Sequence, residues 1–587
     1  MQHVISQAIN DALAELGFTE VDFTVEHPRE LAHGDYASNA AMVAMRQLAA
    51  DFNVRHEGKT AHADQVVRVN KVTGAELRSP RDLAEALATV LEGQIEYVER
   101  IEVAGPGFIN FYLARDFFVE EVARAVELGE QWGKNDREVG EEVVIEYTSP
   151  NLFKPLHVGN LVGNIVGESF TRLYEFAGAT VRRMNYPADI GLPVAKAVWG
   201  LKETGGDPTD ITALGEAYRV GNEAYEADET QRAQIVSINQ ALYADSDPEL
   251  SALREAGIKT SLGHFDELCA LLGTTFDGVI CESQAAIPGT AMVKQHIGDI
   301  FVESDGAIVY PGEKVGLHTR VFLNSKGLPT YEAKDIGHFK LKHNTYPHWT
   351  RSIIVTGGEQ AEYFKVVFAV LRELFPEAAD RPLEHIPTGF LTLTTGKMSS
   401  RSGNVLTGEA LLAEMIEAAK EAAAESRTDD VDRLTRQVAV AALKFQILRH
   451  SVGSNIVFDK EKALSFEGDS GPYLQYTHAR ITSLLVKAST VGVKPAYQTV
   501  PEEPYEIERL LYRFPEVIEE ALAERAPHQV LGFLTELAGA FNAFYAHERI
   551  AAADDPQAGY KAAIAAAVQQ TLRNGLWVLG MEAPERM

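Results

Sequence analysis

The feature that most constrains the fold is a strand, loop and helix pattern within residues 143–178. An apolar run over 143–145 is followed by a polar loop and then by the segment His157-Val158-Gly159-Asn160. Apolar residues then recur at helical spacing as far as Gly178, which predicts a helix that a glycine ends. A second strand is predicted over 180–186. This order predicts a parallel sheet whose ligand crevice lies at the carboxyl ends of the strands.

The turn before this helix has the chemistry of a phosphate site. The free N–H groups and the positive dipole end of a helix N-terminus attract an anion, and His157 adds a further donor. Gly159 has no Cβ, so a flat nucleotide base can approach the backbone closely. A His-x-Gly sequence by itself is more often an ordinary capping turn, so this motif alone does not identify a site.

A second motif lies far downstream, at Gly396-Lys397-Met398-Ser399-Ser400-Arg401. It places two cations and two hydroxyls in one loop, which suits the stabilisation of charge that grows during phosphoryl or nucleotidyl transfer. Taken alone it is more often a solvated loop. The order of the two motifs, with the first directly after a strand, is much more specific than either motif.

Composition narrows the classes of protein that this chain can belong to. A chain of 587 residues is too long for one core and predicts three or four domains. Two cysteines without a Cys-x-x-Cys pair argue against a disulfide framework and against structural zinc, and they fit a cytoplasmic protein. No apolar run is long enough to span a membrane, so no membrane partner is expected. The net charge of −30 argues against indiscriminate binding of DNA but permits a folded RNA that is recognised by shape.

Three regions are predicted, giving an α/β multidomain protein. Residues 1–115 form a small α/β module. Residues 116–405 alternate strands and helices, with a polar helical insertion near 201–260. The parallel sheet is expected to resume after this insertion with strands over 307–310, 321–323 and 353–355. Residues 406–587 show helical periodicity, which is typical of an all-helical bundle.

Together the two motifs resemble the signature sequences "His-Ile-Gly-His" and "Lys-Met-Ser-Lys-Ser" of class I aminoacyl-tRNA synthetases. Further blocks across nearly the whole chain are similar to the arginyl-tRNA synthetase family. These blocks are His33-Gly34-Asp35-Tyr36, Ala104-Gly105-Pro106-Gly107-Phe108-Ile109-Asn110, Glu146-Tyr147-Thr148-Ser149-Pro150-Asn151, Asn185-Tyr186-Pro187-Ala188-Asp189-Ile190-Gly191, Pro329-Thr330-Tyr331-Glu332-Ala333-Lys334-Asp335-Ile336 and Ala583-Pro584-Glu585-Arg586-Met587.

The resemblance implies a Rossmann-like catalytic domain over 116–405, a tRNA-elbow-binding domain over 1–115 and an anticodon-binding bundle over 406–587. It also implies a two-step ligase reaction in which arginine and ATP give arginyl-adenylate, and the arginyl group then passes to the 3′-terminal ribose of tRNA(Arg). Mg²⁺ is expected on the ATP without a dedicated protein cage, so no protein metal ligands are expected. The family resemblance suggests a monomer.

The resemblance also assigns the site residues. A guanidinium group needs carboxylates and amide oxygens held in a plane, and the implied arginine-binding residues supply them. These are Glu146, Asn151, Tyr331, Asp335 and Gln360. The implied ATP-binding residues are His157, Gly159, Asn160, Gly357, Glu359 and Lys397. The implied catalytic residues are His157, Asn160, Lys397, Ser399 and Ser400.

Three tyrosines of the helical region, Tyr473, Tyr476 and Tyr545, are expected to stack on unpaired tRNA bases. Alternatives remain open for several of these residues. Each tyrosine can equally be part of the bundle core, and Glu146 and Asp335 can be ordinary surface or capping carboxylates. Among other proteins, a cysteinyl synthetase would need a zinc-binding Cys/His set. A nucleotidyltransferase would not need the N-terminal module, and a non-catalytic tRNA-binding relative would have lost His157 or Lys397.

Two positions depart from the general class I signatures. Asn160 replaces the second His of the first signature, and an amide can donate to phosphate but cannot become a cation. Arg401 follows Ser400 where the general pattern has Lys, which keeps a cation in a different geometry.

Overall fold

The computed structural model describes residues 1–55, 68–69, 76–394, 407–423, 428 and 430–587. The chain divides into two compact units. The first unit contains Met1–Gly129, Lys487–Glu516 and Ala543–Val568, and the second contains Glu130–Val486, Val517–Asn542 and Gln569–Met587. Among the helices described here, none combines the length and the apolar character needed to cross a membrane.

The first unit is built on an antiparallel sheet of four strands, in the order β1 (Val25–Glu26), β2 (Tyr36–Ser38), β6 (Phe108–Leu113) and β5 (Val98–Ala104), with helices packed on it. One face of the first helix contributes to the core, because Ile5, Ile9 and Leu13 recur at helical spacing and are buried. The elements of residues 1–129 are α1 Gln2–Glu15, β1 Val25–Glu26, β2 Tyr36–Ser38, α2 Ala40–Arg55, β3 Arg68–Val69, β4 Glu76–Leu77, α3 Pro80–Leu91, β5 Val98–Ala104, β6 Phe108–Leu113 and α4 Arg115–Leu128.

The second unit is built on a five-stranded parallel sheet, in the order β14 (Leu383–Thr388), β13 (Arg351–Gly357), β7 (Glu142–Glu146), β8 (Thr180–Asn185) and β9 (Gly278–Val279). The elements of residues 142–393 are β7 Glu142–Glu146, α5 Val158–Phe176, β8 Thr180–Asn185, α6 Leu192–Thr204, α7 Ile211–Ala227, α8 Glu229–Ala244, α9 Pro248–Leu271, β9 Gly278–Val279, α10 Glu282–Gln295, β10 Val302–Ser304, β11 Ala307–Tyr310, β12 Arg320–Leu323, α11 Tyr331–Thr345, β13 Arg351–Gly357, α12 Ala361–Leu374, β14 Leu383–Thr388 and β15 Leu391–Leu393.

The predicted strand–helix–strand order is confirmed. The central strand β7 is a continuous buried apolar run, Val143 to Ile145, as expected for a parallel strand that is covered on both faces. The helix α5 begins directly after His157 and is buried along most of its length. The sheet therefore places the carboxyl ends of β7, β8 and β13 on the same edge.

Two of the strands predicted to continue this sheet do not belong to it. Residues 307–310 and 321–323 lie in a separate antiparallel sheet of order β10-β11-β12. The reason is local: Asp305 and Gly306 both have positive φ, 48° and 75°, and form a two-residue hairpin loop. A parallel pairing would need a much longer crossover. The prediction was therefore wrong for these two strands and right for β13, and it missed the edge strand β14.

The region after residue 406 is predominantly helical, as predicted, and contains one short strand that pairs in parallel with β15. Its described elements are α13 Gly408–Ala423, α14 Val431–Leu448, β16 Ile456–Phe458, α15 Lys460–Ala463, α16 Gly471–Thr490, α17 Glu506–Leu511, α18 Phe514–Ala523, α19 Pro527–His547 and α20 Ala558–Val578.

The polar stretch near 201–260 folds as the helices α7, α8 and α9. The first of them packs closely on α6, because Gly200 has no side chain at the contact. A Cβ built at Gly200 would lie 2.0 Å from the backbone oxygen of Ala217. This close approach leaves no room for even a methyl group.

We expect Gly200→Ala to lower the free energy of unfolding by about 1–3 kcal/mol, because the methyl group forces α6 and α7 apart. The matched control is Gly263→Ala. Gly263 lies in the exposed part of α9, and a Cβ there would meet nothing within 4 Å. Alanine favours a helix over glycine, so the control should be unchanged or slightly more stable. Thermal unfolding followed by circular dichroism compares the two, and equal melting temperatures would contradict this account of the contact.

Candidate active site

Three loops meet at the carboxyl edge of the parallel sheet. Glu146 ends β7, Asn185 ends β8 and Gly357 ends β13, and the strand registers align these ends. Ligand sites of open parallel sheets lie at this edge, where the loops diverge to form a crevice. The predicted residues of the first signature, the Asn185–Gly191 block and the Gly357–Gln360 segment therefore face one crevice.

The loop after β7 has an unusual backbone that Asn160 supports. Thr148 and Ser149 have positive φ values of 74° and 41°, which are costly for residues with a Cβ. The Asn160 amide nitrogen donates to the carbonyl oxygens of Thr148 at 2.7 Å and Ser149 at 3.4 Å. Asn151 continues the sheet through a parallel bridge with Ala188. The Asn160 side-chain amide, which was predicted to donate to phosphate, thus donates to the backbone of this loop. A contact between Asn160 and phosphate stays a prediction.

His157 is the N-cap of α5. Its Nδ1 accepts a hydrogen bond from the backbone N–H of Gly159 at 3.0 Å. A Cβ at position 159 would lie 3.2 Å from that nitrogen, so glycine also leaves room for the histidine ring. Burial and the positive charge of Lys154 lower the pKa of His157, whereas Glu359 raises it. The imidazole is therefore neutral near pH 7 and its exposed face points to solvent at the helix N-terminus.

The site residues predicted from the second motif are Lys397, Ser399 and Ser400. All three lie outside the described part of the chain. The chain after the motif returns directly to the first signature. Thr407 forms an antiparallel bridge with His157, and the N–H of Gly408 donates to the Leu156 carbonyl at 2.7 Å. The Glu409 carboxylate accepts from the N–H of Leu156 at 2.8 Å. The segment that follows the second motif is therefore fixed against the first.

Glu146 lies buried at the end of β7 beside α11. Its Oε2 accepts hydrogen bonds from Lys342 Nζ at 2.6 Å and from His338 Nε2 at 2.9 Å. Burial alone would raise the pKa of this carboxyl, but Lys342 and His338 together lower it to about 2. Glu146 is therefore a fully ionised carboxylate that the Lys342 ammonium neutralises, whereas burial lowers the pKa of His338 and leaves it a neutral hydrogen-bond donor.

Asp335 also lies on α11, but its pKa is shifted upward, whereas that of Glu146 is shifted downward. It accepts a hydrogen bond from the Tyr363 hydroxyl at 2.5 Å. Burial raises the pKa of Asp335 to about 8, with Glu146 and Glu282 adding to the rise and the Tyr363 hydroxyl and the more distant Lys342 charge opposing it. No described residue forms an ion pair with Asp335. It is a carboxyl whose ionised form needs a cation that the described chain does not supply.

Four carboxyls surround Tyr186, the residue after β8. Burial raises its pKa most, and Asp335, Glu282, Glu146 and Asp189 raise it further. Three of the four have cationic partners: Lys342 at Glu146, Lys334 at Glu282 and Arg254 at Asp189. The Tyr186 ring stacks on His338 with 3.9 Å between centroids. Its buried hydroxyl has no hydrogen-bond partner among the described residues. Of these four carboxyls, Asp335 is therefore the one without an ion-pair partner in the described chain, and the Tyr186 hydroxyl is a buried group without a hydrogen-bond partner there.

The other predicted site residues lie around this pocket or at its rim. Tyr331 begins α11 one turn before Asp335, is 56% exposed, and has the Lys334 ammonium 4.5 Å from its ring centroid. Glu359 and Gln360 are exposed at the end of β13. The Glu359 carboxylate folds over Gly357, where a Cβ would lie 2.4 Å from Oε2.

The three tyrosines of the helical region lie in different places. Tyr473 is half-buried, and its hydroxyl accepts from Asn542 Nδ2 at 2.9 Å. Tyr476 is 43% exposed on the same helix, α16. Tyr545 lies on α19 in the other unit and is half-buried. Exposure therefore favours Tyr476 for base stacking, and its contact with tRNA stays a prediction.

Sequence reasoning missed four side chains of this site: Lys154, Tyr186, His338 and Lys342. Lys154 lies in the loop between β7 and α5, close enough to lower the pKa of His157. His338 and Lys342 follow Asp335 at three and seven residues, so the helical face that carried the Tyr331–Asp335 pair also predicts them. Tyr186 directly follows a predicted strand at the crevice edge, which was the available signal.

The described residues contain no group of three or more His, Cys, Asp or Glu side chains placed to hold a metal ion. Cys269 and Cys281 are both free thiols, and burial raises the pKa of each to about 12. Neither is therefore a thiolate at neutral pH.

We expect Lys342→Met to lower the free energy of unfolding by about 3 kcal/mol or more, because it leaves the buried Glu146 carboxylate without its ammonium partner. Lys340→Met is the matched control, since Lys340 is exposed on the same helix and its loss should change stability by about 0.5 kcal/mol at most. Urea unfolding followed by fluorescence measures both.

The effect of Lys342→Met should also depend on pH. The folded pKa of Glu146 is depressed from 4.5 to about 2, so its stabilisation is complete above pH 4.5 and is lost as pH falls toward 2. The difference between wild type and Lys342→Met should shrink over that window. A difference that is the same at pH 7 and pH 3 would contradict the ion pair as its cause.

Comparison with known proteins identifies the family. Residues 121–460 match the model described as "tRNA synthetases class I (R), catalytic domain". Residues 1–113 match "Arginyl tRNA synthetase N terminal domain" and residues 474–587 match "DALR anticodon binding domain".

Full-length relatives agree with these matches. An arginine–tRNA ligase of Bacillus cereus is 30% identical over 87% of this chain and 91% of its own length. One from Lactococcus lactis subsp. cremoris is 29% identical over the whole of both chains. Among solved structures, arginyl-tRNA synthetase of Thermus thermophilus superposes with a TM-score of 0.78 at 25% identity, covering 100% of both chains. This chain belongs to the arginyl-tRNA synthetase family of class I.

Proposed function

We propose that this protein is an arginine–tRNA ligase. It activates arginine with ATP to arginyl-adenylate and transfers the arginyl group to the 3′-terminal ribose of tRNA(Arg). Family membership supports the reaction, and one observation supports the amino acid. Asp335 is the single carboxyl of a four-carboxyl pocket that lacks a cation among the described residues. A guanidinium supplies that cation together with several donors in one plane.

Both steps are displacements that need no protein nucleophile. The arginine carboxylate attacks the α-phosphorus of ATP and pyrophosphate leaves. A ribose hydroxyl of the tRNA then attacks the carbonyl carbon of the adenylate and AMP leaves. The protein contributes by holding the reacting groups in line and by stabilising the negative charge that accumulates on pyrophosphate.

The phosphate end of the site is assigned to the two signatures. His157 and Gly159 present the N-terminus of α5, which is a natural anion site. Lys397, Ser399 and Ser400 are assigned to the pyrophosphate from the second motif, with Mg²⁺ carried by the ATP. Gly357 and Glu359 are assigned to adenosine, with Glu359 toward the ribose hydroxyls. Asn160 takes part by holding the Thr148–Ser149 turn in place.

The arginine end is assigned to the acidic pocket. Asp335 accepts the guanidinium, with Tyr331 one helical turn away. Glu146 adds negative potential and anchors Lys342 and His338, and its direct contact with the guanidinium stays a prediction. Asn151 and Gln360 are assigned to the remaining polar groups of the amino acid. Tyr186 offers an unpaired buried hydroxyl at the same place.

We propose the domain boundaries 1–115, 116–405 with an insertion near 201–260, and 406–587 for the tRNA-elbow, catalytic and anticodon-binding regions. Tyr473, Tyr476 and Tyr545 are the proposed base-stacking residues of the last region. A monomer acting in the cytoplasm is the proposed form. The match over residues 474–587 supports an anticodon-binding region, and the exposure of Tyr476 supports its proposed role in base stacking.

The direct test is charging of tRNA with radiolabelled amino acids by the purified full chain. We expect arginine to be attached, and lysine and citrulline to be rejected by tenfold or more in kcat/KM. Lysine cannot form a planar two-point contact. Citrulline carries no charge that would stabilise the ionised form of Asp335, and it therefore loses a charge-assisted hydrogen bond of about 1.5–3 kcal/mol.

A second variant, His157→Ala, tests the phosphate end of the site independently of the arginine end. His157→Ala should still bind arginine in equilibrium dialysis but lose arginine-dependent ATP–pyrophosphate exchange, because it acts on phosphate charge that grows in the transition state. Charging with another amino acid better than with arginine would contradict the proposed function. Loss of arginine binding in His157→Ala would contradict the assignment of the two ends.

A further inference from the structure

A cleft of about 430 Å³ lies in the second unit at the far end of α5 from His157. It is enclosed by the end of α5, the end of α9, the side of α14 and the chain that follows α20. Its volume falls in the range of small-molecule sites. His157 and Arg172 are fifteen residues apart on α5, which corresponds to about 22 Å along a helix. The cleft is therefore separate from the candidate active site.

The cleft concentrates positive charge in a chain whose net charge is −30. Four arginines line it: Arg172, Arg433, Arg436 and Arg573. Three glutamates offset much of this charge, because Arg172 pairs with Glu168 at 2.8 Å, Arg433 with Glu582 at 3.1 Å and Arg573 with Glu585 at 3.2 Å. No described residue pairs with Arg436. The lining therefore keeps one guanidinium group that has no carboxylate partner in the described chain, and guanidinium groups are the preferred protein partners of phosphate.

Two basic side chains join the walls of the cleft. Arg172 donates to the carbonyl of Gly273 at 2.8 Å and to the carbonyl of Trp577 at 2.9 Å. The buried Lys444 amino group, whose pKa burial lowers to about 7, donates to the carbonyls of Leu272 and Gly580, both at 2.6 Å. Each side chain thus joins the end of α9 to the end of α20. A site whose walls are fixed in this way loses little entropy when a ligand binds.

One aromatic ring completes the lining. Trp577 is 40% exposed, and the Arg172 guanidinium lies 5.1 Å from its ring centroid. The other three tryptophans of the chain, Trp132, Trp199 and Trp349, are buried. An exposed indole beside several guanidinium groups fits a ligand with a flat ring and negatively charged groups.

We propose that this cleft is a mononucleotide-binding site, with the base on Trp577 and the phosphates on Arg433, Arg436 and Arg573. A cleft of this volume suits one nucleotide. The ligand phosphates compete with Glu582 and Glu585 for two of the arginines. Because salt screens the attraction between the phosphates and the guanidinium groups, binding weakens as the salt concentration rises. The site is distinct from the ATP site of the proposed ligase reaction and does not depend on that reaction.

The fluorescence of Trp577 reports directly on occupancy, because it is the exposed tryptophan. We expect ADP titrated into the full chain to quench this fluorescence, and Trp577→Phe to remove the ADP-dependent signal. The double variant Arg436→Ala, Arg573→Ala should weaken the ADP response by about tenfold or more, the usual effect of losing charge-assisted hydrogen bonds. Its arginine-dependent pyrophosphate exchange should stay at the wild-type level.

Arg124→Ala is the matched control for the loss of an arginine, since Arg124 is 62% exposed and paired with Glu121 in the other unit. It should leave the ADP response unchanged. The proposal is overturned if ADP does not quench Trp577 or if the double variant responds as wild type does. It is also overturned if tRNA quenches Trp577 while ADP does not, because the surface would then serve a nucleic acid.

Discussion

The ion pair of Glu146 with Lys342, joined by a hydrogen bond from His338, is the interaction on which the candidate site depends. It fastens the end of the central strand β7 to the helix α11 inside the protein, where an unpaired carboxylate would be very costly. Because α11 also carries Tyr331 and Asp335, this contact fixes both side chains relative to the sheet edge. It also neutralises one carboxylate of the pocket, so the electrostatic demand for a cation falls on Asp335.

The phosphate end of the site is positioned by the same strand through a different contact. The loop after β7 leaves the sheet with positive φ at Thr148 and Ser149, and the Asn160 amide on α5 accommodates it. One strand thus orients the acidic pocket on one side and the N-terminus of α5 on the other. A short distance along the chain therefore separates the proposed site for the arginine side chain from the proposed site for the ATP phosphates.

Much of this arrangement was predictable because it is encoded locally. Three features were predicted in this way: the buried run of β7, the cap at His157 and the Tyr331–Asp335 spacing. Each of them is a pattern that spans only a few residues of sequence. The pairing of Glu146 with Lys342 joins residues 196 apart in sequence, and no local pattern predicts it. The strands over 307–310 and 321–323 were assigned to the wrong sheet because apolar strands look alike in sequence and the hairpin at Asp305–Gly306 decides their partners. The residues assigned from the second motif lie outside the described chain, so their roles rest on the resemblance alone.

The central claim is that Asp335 is the carboxyl awaiting the guanidinium, and proton release on arginine binding tests it most directly. The folded pKa of Asp335 is raised from 3.8 to about 8, so ionising it costs stability as pH rises toward 8 and the group is mainly protonated at pH 7. Titration calorimetry with arginine at pH 7, repeated in buffers of different ionisation enthalpy, counts the protons released. We expect close to one proton for the wild type, a smaller number above pH 8, and none for Asp335→Asn. A binding enthalpy that does not depend on the buffer in the wild type would contradict the account.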